Sequence, residues 1–238
     1  MTADEKRKLE KVTETCKSSL KYLCKDVLRM EDWGSLHTDL EKYLKASGQR
    51  KMILIPRGHL KSSVITIGYS IQKVLRDFNT RGLIANAVWD NARHFLYKIS
   101  EYLTDKSYLP MLFGNFKSGR WNADEIVVNQ RTEAHAEATI ATTGVEKTQT
   151  SQHYDWIVMD DLVVRENINT QEQRNKVIDF YRDTLDLLEP GGELVVIGTR
   201  WAMGDLYQHL IENEMRSLNG KDLENEEQRK IWRELIAA

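Results

Sequence analysis

Residues 52–66 read MILIPRGHLKSSVIT. Four apolar residues, Met52 to Ile55, are followed by a turn, by Lys61-Ser62, and by an apolar-periodic run through Val64, Ile67, Ile71, Val74 and Leu75. A short apolar run closed by Pro and Gly predicts a buried strand, and three- and four-residue spacing after it predicts a helix. A chain that leaves a buried strand and turns into a helix offers backbone N–H groups and the helix N-terminus to an anion. In such a phosphate loop a lysine reaches the terminal phosphates, and the next Ser or Thr sets its hydroxyl on Mg²⁺. Lys61 and Ser62 stand in those positions. The plain pattern G-x-x-x-x-G-K-[ST] is not met, because its glycine positions hold Ile55 and Leu60 and only Gly58 remains in the loop. A basic surface turn is therefore the competing reading of this stretch alone.

Outward from the loop, strands and helices alternate. GLIANAV (82–88), DWIVM (155–159) and ELVVIG (193–198) read as core strands, and EIVV (125–128) and ATIAT as two further strands, arranged as a hairpin. Helices are predicted over 90–103, 170–188, 204–217 and the charged tail 221–236. Residues 4–30 carry Leu9, Val12, Cys16, Leu20, Leu23, Val27 and Met30 at helical spacing and predict one amphipathic helix. Strands separated by helices imply βαβ units, and hence an α/β domain with a mainly parallel sheet covered by helices on both faces. The predicted organisation is an N-terminal helical segment (1–36) packed on a core (37–218), with a helical tail or linker (219–238).

DWIVMDD delivers Asp160 and Asp161 at the C-terminal edge of its strand, where open α/β sheets bind ligands. One carboxylate there can hold Mg²⁺ and its neighbour can orient an attacking water. A solvated turn is the plain alternative. ELVVIGTRW ends in the same way, and its Thr199 is expected beside Asp160, able to sense a terminal phosphate through water; strand-end capping is the plain alternative. Arg200 either stabilises charge or makes a surface ion pair. The loop Ser151-Gln152-His153 is expected near the phosphate or DNA. His153 and Asp155 make no triad, since no serine sits in a strained strand-to-helix turn.

Composition narrows the field. Of 238 residues, 41% are apolar and 29% charged, which fits a globular chain. A net charge of −2 excludes a strongly basic DNA-coating protein but not a motor with a local basic patch. No apolar run approaches the roughly 20 residues that cross a bilayer, and the start MTADEKRKLEK is no secretory signal. No membrane contact is expected, and the chain is expected in the cytosol. Cys16 and Cys24, on one helix, would be about 12 Å apart and unable to form a disulfide.

Taken together, PRGHLKSS, HYDWIVMDDLV and GGELVVIGTRW followed by GDLYQHL resemble the large terminase subunits of tailed bacteriophages, over roughly His37 to Leu210. The resemblance implies a RecA-like P-loop ATPase core that couples ATP hydrolysis to threading double-stranded DNA into a capsid, with ATP and Mg²⁺ as cofactors. It implies that Arg57, Gly58, His59, Leu60, Lys61, Ser62 and Ser63 cradle the phosphates, and terminase loops often carry an early arginine as Arg57 does. Asp160 with Ser62 would hold the metal, and Asp161 would be the catalytic acid, with Lys61 and Arg57 serving catalysis. Gly198 and Thr199 would couple hydrolysis to DNA movement. It also implies that DNA is gripped without sequence reading, that the portal protein and small terminase subunit are partners, and that the motor forms a homo-oligomeric ring in the host cytoplasm, with a monomer open for the isolated chain.

Two positions depart from the family pattern. Leu60 stands where glycine is usual, and Asp161 stands where Glu is usual, with about 1.5 Å less reach; Glu166 is the alternative acid. The arginine finger is open among Arg57, Arg120, Arg131 and Arg200. Trp33 and His37 precede the first core strand, where such ATPases bind adenine, although a core or surface role suits Trp33 as well. Terminases usually carry a nuclease domain after the ATPase. The 40 residues after Gly198 cannot hold one, so the chain is expected to correspond to the ATPase portion and not to cut DNA. The alternatives are a helicase- or recombinase-like ATPase and a degenerate nucleotide-binding module without turnover.

Overall fold

The computed structural model describes residues 2–30, 32–147, 151–201 and 203–214. The tail expected over 219–238 and the end of the helix expected over 204–217 lie outside the described residues.

Helix α1 (Ala3–Ser18) is closed at its start by a capping box between Thr2 and Glu5. The single helix expected over residues 4–30 is broken. The chain extends at Ser19, resumes as α2 (Leu20–Tyr22), and continues π-helically over Leu23–Val27. The break has a distant cause: Glu41 Oε1 accepts from Leu20 N at 2.9 Å and Oε2 from Lys21 N at 3.3 Å, satisfying amides that an unbroken helix would have used. Glu41 lies on α3 (Ser35–Lys45), a helix the sequence reading did not list; it straddles the expected boundary between residues 36 and 37.

Then follow β1 (Arg50–Leu54), a π-helical stretch Ser62–Tyr69 running into α4 (Ser70–Arg76), β2 (Gly82–Asn86), α5 (Trp89–Thr104), α6 (Leu109–Phe113), β3 (Lys117–Trp121), β4 (Glu125–Val128), β5 (Ile140–Gly144), β6 (Tyr154–Asp160), α7 (Gln171–Leu185), β7 (Leu188–Gly198) and α8 (Leu206–His209). Among the described residues one sheet joins seven strands in the order β1-β7-β6-β2-β5-β4-β3. The first five are parallel, while β3 and β4 are antiparallel additions at one edge. The expected hairpin partner of β4 is β5, in antiparallel register through Ile126 and Ile140.

The parallel strands are buried on both faces, as apolar runs without alternation require. Ile53, Ile84, Val158 and Ile197 face a core shared with Leu20, Cys24, Ile65, Ile71, Leu96 and Ile99. Met52, Leu83, Met159 and Val196 face a second core with Val177, Tyr181, Leu206 and Tyr207. Cys16 and Cys24 are free, buried thiols of the first core, and burial pushes the Cys16 thiol up to about 11. Each fully buried Leu, Ile or Val side chain contributes about 1.5–3 kcal/mol. Among the described residues no helix is long and apolar enough to cross a membrane.

Candidate functional site

The C-terminal edge of the sheet gathers the ends of β1, β7 and β6. In register, Leu54 pairs with Gly198, and Asp160 pairs with Ile197. β7 thus lies between the strand that feeds the loop and the strand that ends in the acids, and Thr199 emerges between Lys61 and Asp160.

Lys61 begins the helical stretch after the loop and is only 5% exposed. Its Nζ donates to Thr199 Oγ1 at 2.7 Å and lies 3.2 Å from Asp161 Oδ1. Thr199 Oγ1 in turn donates to the Ile55 carbonyl at 3.1 Å, tying the end of β7 to the start of the loop. The sequence-predicted trio of Lys61, Asp161 and Thr199 is brought into direct contact.

Asp160 is fully buried. Burial, with the charge of the neighbouring Asp161 acting the same way, pushes its carboxyl up to about 6, against the Thr66 hydrogen bond, the nearby Ser62 hydroxyl and the charge of Lys61. Thr66 Oγ1 donates to Asp160 Oδ2 at 2.5 Å. Oδ1 of Asp160 is buried and has no hydrogen-bond partner among the described residues. The Asp160 carbonyl accepts from Asn86 Nδ2 at 2.6 Å, which pins the end of β6 to the end of β2. Asp161 follows in the left-handed region at φ 47°, a conformation Asp tolerates better than most residues, with its N–H on the Ile197 carbonyl at 2.9 Å.

The loop itself is exposed from Pro56 to Leu60. Gly58 takes φ 86°, as the turn requires, and Leu60 takes φ 52°. The Arg57 guanidinium stacks 4.5 Å over the Trp201 ring, linking the loop to the segment after Thr199. His59 turns its Nδ1 onto the carbonyls of Pro56 and Arg57 at 3.3 and 3.2 Å. Ser63 lines a cavity of about 560 Å³ beside the loop, together with Leu60, Ile67, Met30, Arg29 and Tyr102.

Other expectations fall elsewhere. Arg131 donates to the carbonyls of Glu137 and Thr80, just before β5 and β2, and so lies at the opposite sheet edge. Arg120 is held bidentately by Glu125 and donates to the Ala136 carbonyl. Arg200 and Glu166 are exposed, the latter on a short turn over Arg165–Asn167. The loop Ser151-Gln152-His153 precedes β6, whose length puts it roughly 20 Å from Asp160, so it lies away from the candidate phosphate site. His37 is buried with both ring nitrogens used, and Trp33 donates to Thr38 Oγ1 at 3.1 Å.

Three site residues escaped the sequence reading. Thr66 stands one turn after Ser62, a spacing that could have flagged it. Asn86, the polar end of an apolar strand, carried a comparable signal. Tyr207 carried none: it packs so closely on Gly198 that a Cβ there would fall 1.9 Å from its hydroxyl oxygen.

No family model matches the chain, and no curated protein matches it. Among solved structures it is similar to a mutant of the large terminase ATPase domain of Thermus phage P74-26, with a TM-score of 0.50 and 11% identity over 78% of this chain and 71% of that one. A weaker likeness is to S. cerevisiae Dbp5 bound to Nup159 and Gle1, with a TM-score of 0.47 and 12% identity over 78% of this chain and 47% of that one. The terminase likeness, with the sheet described above, shows an α/β, RecA-like fold.

Proposed function

We propose that this chain binds and hydrolyses Mg²⁺-ATP at the C-terminal edge of its sheet, and that it is the motor domain of a viral DNA-packaging terminase. The observation that carries the ATPase reading is Asp160. A fully buried carboxylate with one oxygen unpartnered, next to Ser62 and Lys61, is costly unless a cation completes it. Its oxygen and the Ser62 hydroxyl suit Mg²⁺, which takes one or two protein oxygens and fills its remaining positions with phosphate and water. Among the described residues no group of three or more His, Cys, Asp or Glu could hold a metal unaided, so phosphate oxygens would have to complete the shell.

In this reading the loop amides and Lys61 hold the β- and γ-phosphates. Mg²⁺, when bound, supplies charge neutralisation to them. Asp161 releases Lys61 to the phosphates, orients a water in line and accepts its proton as the new P–O bond forms and the bond to ADP breaks. The cavity beside Ser63, of about 560 Å³, falls in the size range of small-ligand pockets, and we assign the nucleoside to it. Thr199 touches Lys61, so loss of the γ-phosphate is felt at the end of β7 and, through Trp201 on Arg57, in the segment beyond it.

Support for the packaging role comes from the motif set PRGHLKSS, HYDWIVMDD and GGELVVIGTRW, and on that ground we assign double-stranded DNA, a portal and a ring of copies as partners. The test is steady-state phosphate release from ATP with Mg²⁺, for the wild type, Lys61→Ala and Asp160→Ala, followed by DNA translocation in the assembled motor. Turnover lost in both variants is the expected result. A wild type that neither binds nor turns over nucleotide overturns the ATPase reading, and an active ATPase that fails to move DNA with its ring assembled overturns only the packaging role.

A further inference from the structure

The loop lacks glycine at position 60, yet Leu60 adopts the left-handed backbone that glycine usually supplies. Something must hold it there. Every carbonyl of the loop for which a partner is found is turned away to a donor. Ile55 O accepts from Thr199 Oγ1, Pro56 O and Arg57 O face His59 Nδ1, and Leu60 O accepts from Val64 N at 3.0 Å. His59 O is met by His37 Nε2 at 3.0 Å. A carbonyl only accepts, so His37 carries its proton on Nε2. Its Nδ1 is the acceptor for the Gly34 N–H at 2.9 Å, at the start of α3, which fixes the ring in the same tautomer. His37 is 7% exposed and comes from outside the loop altogether.

A peptide unit is planar and trans, so its C=O and N–H point in opposite directions. Holding the His59 carbonyl toward α3 therefore aims the Leu60 N–H the other way, away from α3. We propose that His37 is a positioning residue for phosphate binding: through the His59–Leu60 peptide it shapes a glycine-poor loop into an anion cradle. The proposal rests on the reading of this loop as phosphate-binding. His37 touches no substrate. It keeps a carbonyl dipole off the anion and turns an amide toward it, replacing a conformational freedom that the sequence gave up at Leu60.

The two bonds of His37 are separable. The amide oxygen of Asn overlays Nδ1 and retains the Gly34 bond, while the amide nitrogen of Gln overlays Nε2 and retains the loop bond. The full-length chain is compared as wild type, His37→Asn, His37→Gln, and His37→Asn with Leu60→Gly. Affinity is read with a fluorescent ATP analogue and Mg²⁺, and amide hydrogen exchange over residues 57–63 is read without nucleotide. His37→Asn is expected to weaken binding about tenfold and to speed exchange in the loop. His37→Gln restores both, and Leu60→Gly recovers most of the affinity lost in His37→Asn, a rescue that a purely helix-capping role would not give. If the wild type binds nucleotide and His37→Asn binds it equally, with unchanged exchange, the proposal falls and the ATPase reading stands. If the wild type binds no nucleotide, the ATPase reading falls, and the exchange rates alone decide whether His37 holds the loop.

Discussion

Lys61 and Asp161 form an ion pair at 3.2 Å, so the cation expected to hold phosphate is already engaged by the acid expected to activate water. Phosphates must compete with Asp161 for Lys61. Asp161→Asn weakens that competitor and removes the proton acceptor together. The expected outcome is nucleotide affinity raised about threefold to tenfold, as for loss of a partly exposed ion pair, with kcat lowered about 100-fold or more. Titration calorimetry and phosphate release on the same preparation check both, and a fall in affinity would show that Asp161 helps to hold nucleotide.

The raised carboxyl of Asp160 makes stability depend on pH with a defined sign. Its folded value, about 6 against an ordinary 3.8, means the folded chain holds the proton more tightly than the unfolded one. Without metal, the contribution of this group to stability is full below about pH 4 and is lost as pH rises through 6, by about 3 kcal/mol at most. Mg²⁺ requires the deprotonated form, so added Mg²⁺ is expected to offset that loss above pH 6 and to do little at pH 4. Melting curves across this range with and without Mg²⁺ read the effect, and Asp160→Asn is expected to flatten both slopes.

Thr66 Oγ1 holds Asp160 Oδ2 in the buried core of the site. Thr66→Val keeps the shape and deletes the bond, leaving a buried carboxylate with one donor fewer. The expected cost is about 1–3 kcal/mol of stability, and a further rise of the Asp160 value, so that Mg²⁺-dependent binding moves to higher pH. An unchanged pH profile would reduce Thr66 to a core hydroxyl.

Gly198 lies against the Tyr207 ring, and a Cβ would fall 1.9 Å from the hydroxyl oxygen and 2.1 Å from Cζ. Gly198→Ala must displace α8 and is expected to cost about 1–3 kcal/mol by overpacking. The cost should shrink in a Tyr207→Ala background. Chemical denaturation of the four proteins gives the coupling directly.

The parallel core was legible because its strands are continuous apolar runs and its helices keep their period; Met52–Ile55, Trp156–Met159 and Leu194–Ile197 all lie in strands or at their ends, as read. The meeting of Lys61, Asp160 and Thr199 was also legible, since strand ends in such a sheet share one edge. What stayed hidden depends on residues far apart in sequence. The break at Ser19 is fixed by Glu41, which no local window contains. β3 was missed because KSGRW offers one apolar side chain, Trp121, and no alternation; its place is fixed by backbone pairing with β4 and by Trp121 against the first core. The hydrogen bonds of His37 stayed hidden because its partners are the Gly34 amide and the His59 carbonyl, and backbone groups leave no mark in a sequence.

The insertion of β7 between β1 and β6 also sets a width. Neighbouring strands stand about 4.8 Å apart, so the interposed strand holds the loop-bearing and acid-bearing strands at roughly 10 Å. Side by side, those two strands would leave a slot narrower than a tetrahedral anion with a coordinated cation. The third strand makes the aperture wide enough, and its dimension is set by a hydrogen-bonded backbone ladder on both sides rather than by rotamers. The mouth of the site therefore has a fixed gauge, and the adjustable parts are confined to what projects beyond the ladder: the loop above β1 and the residues that follow Gly198.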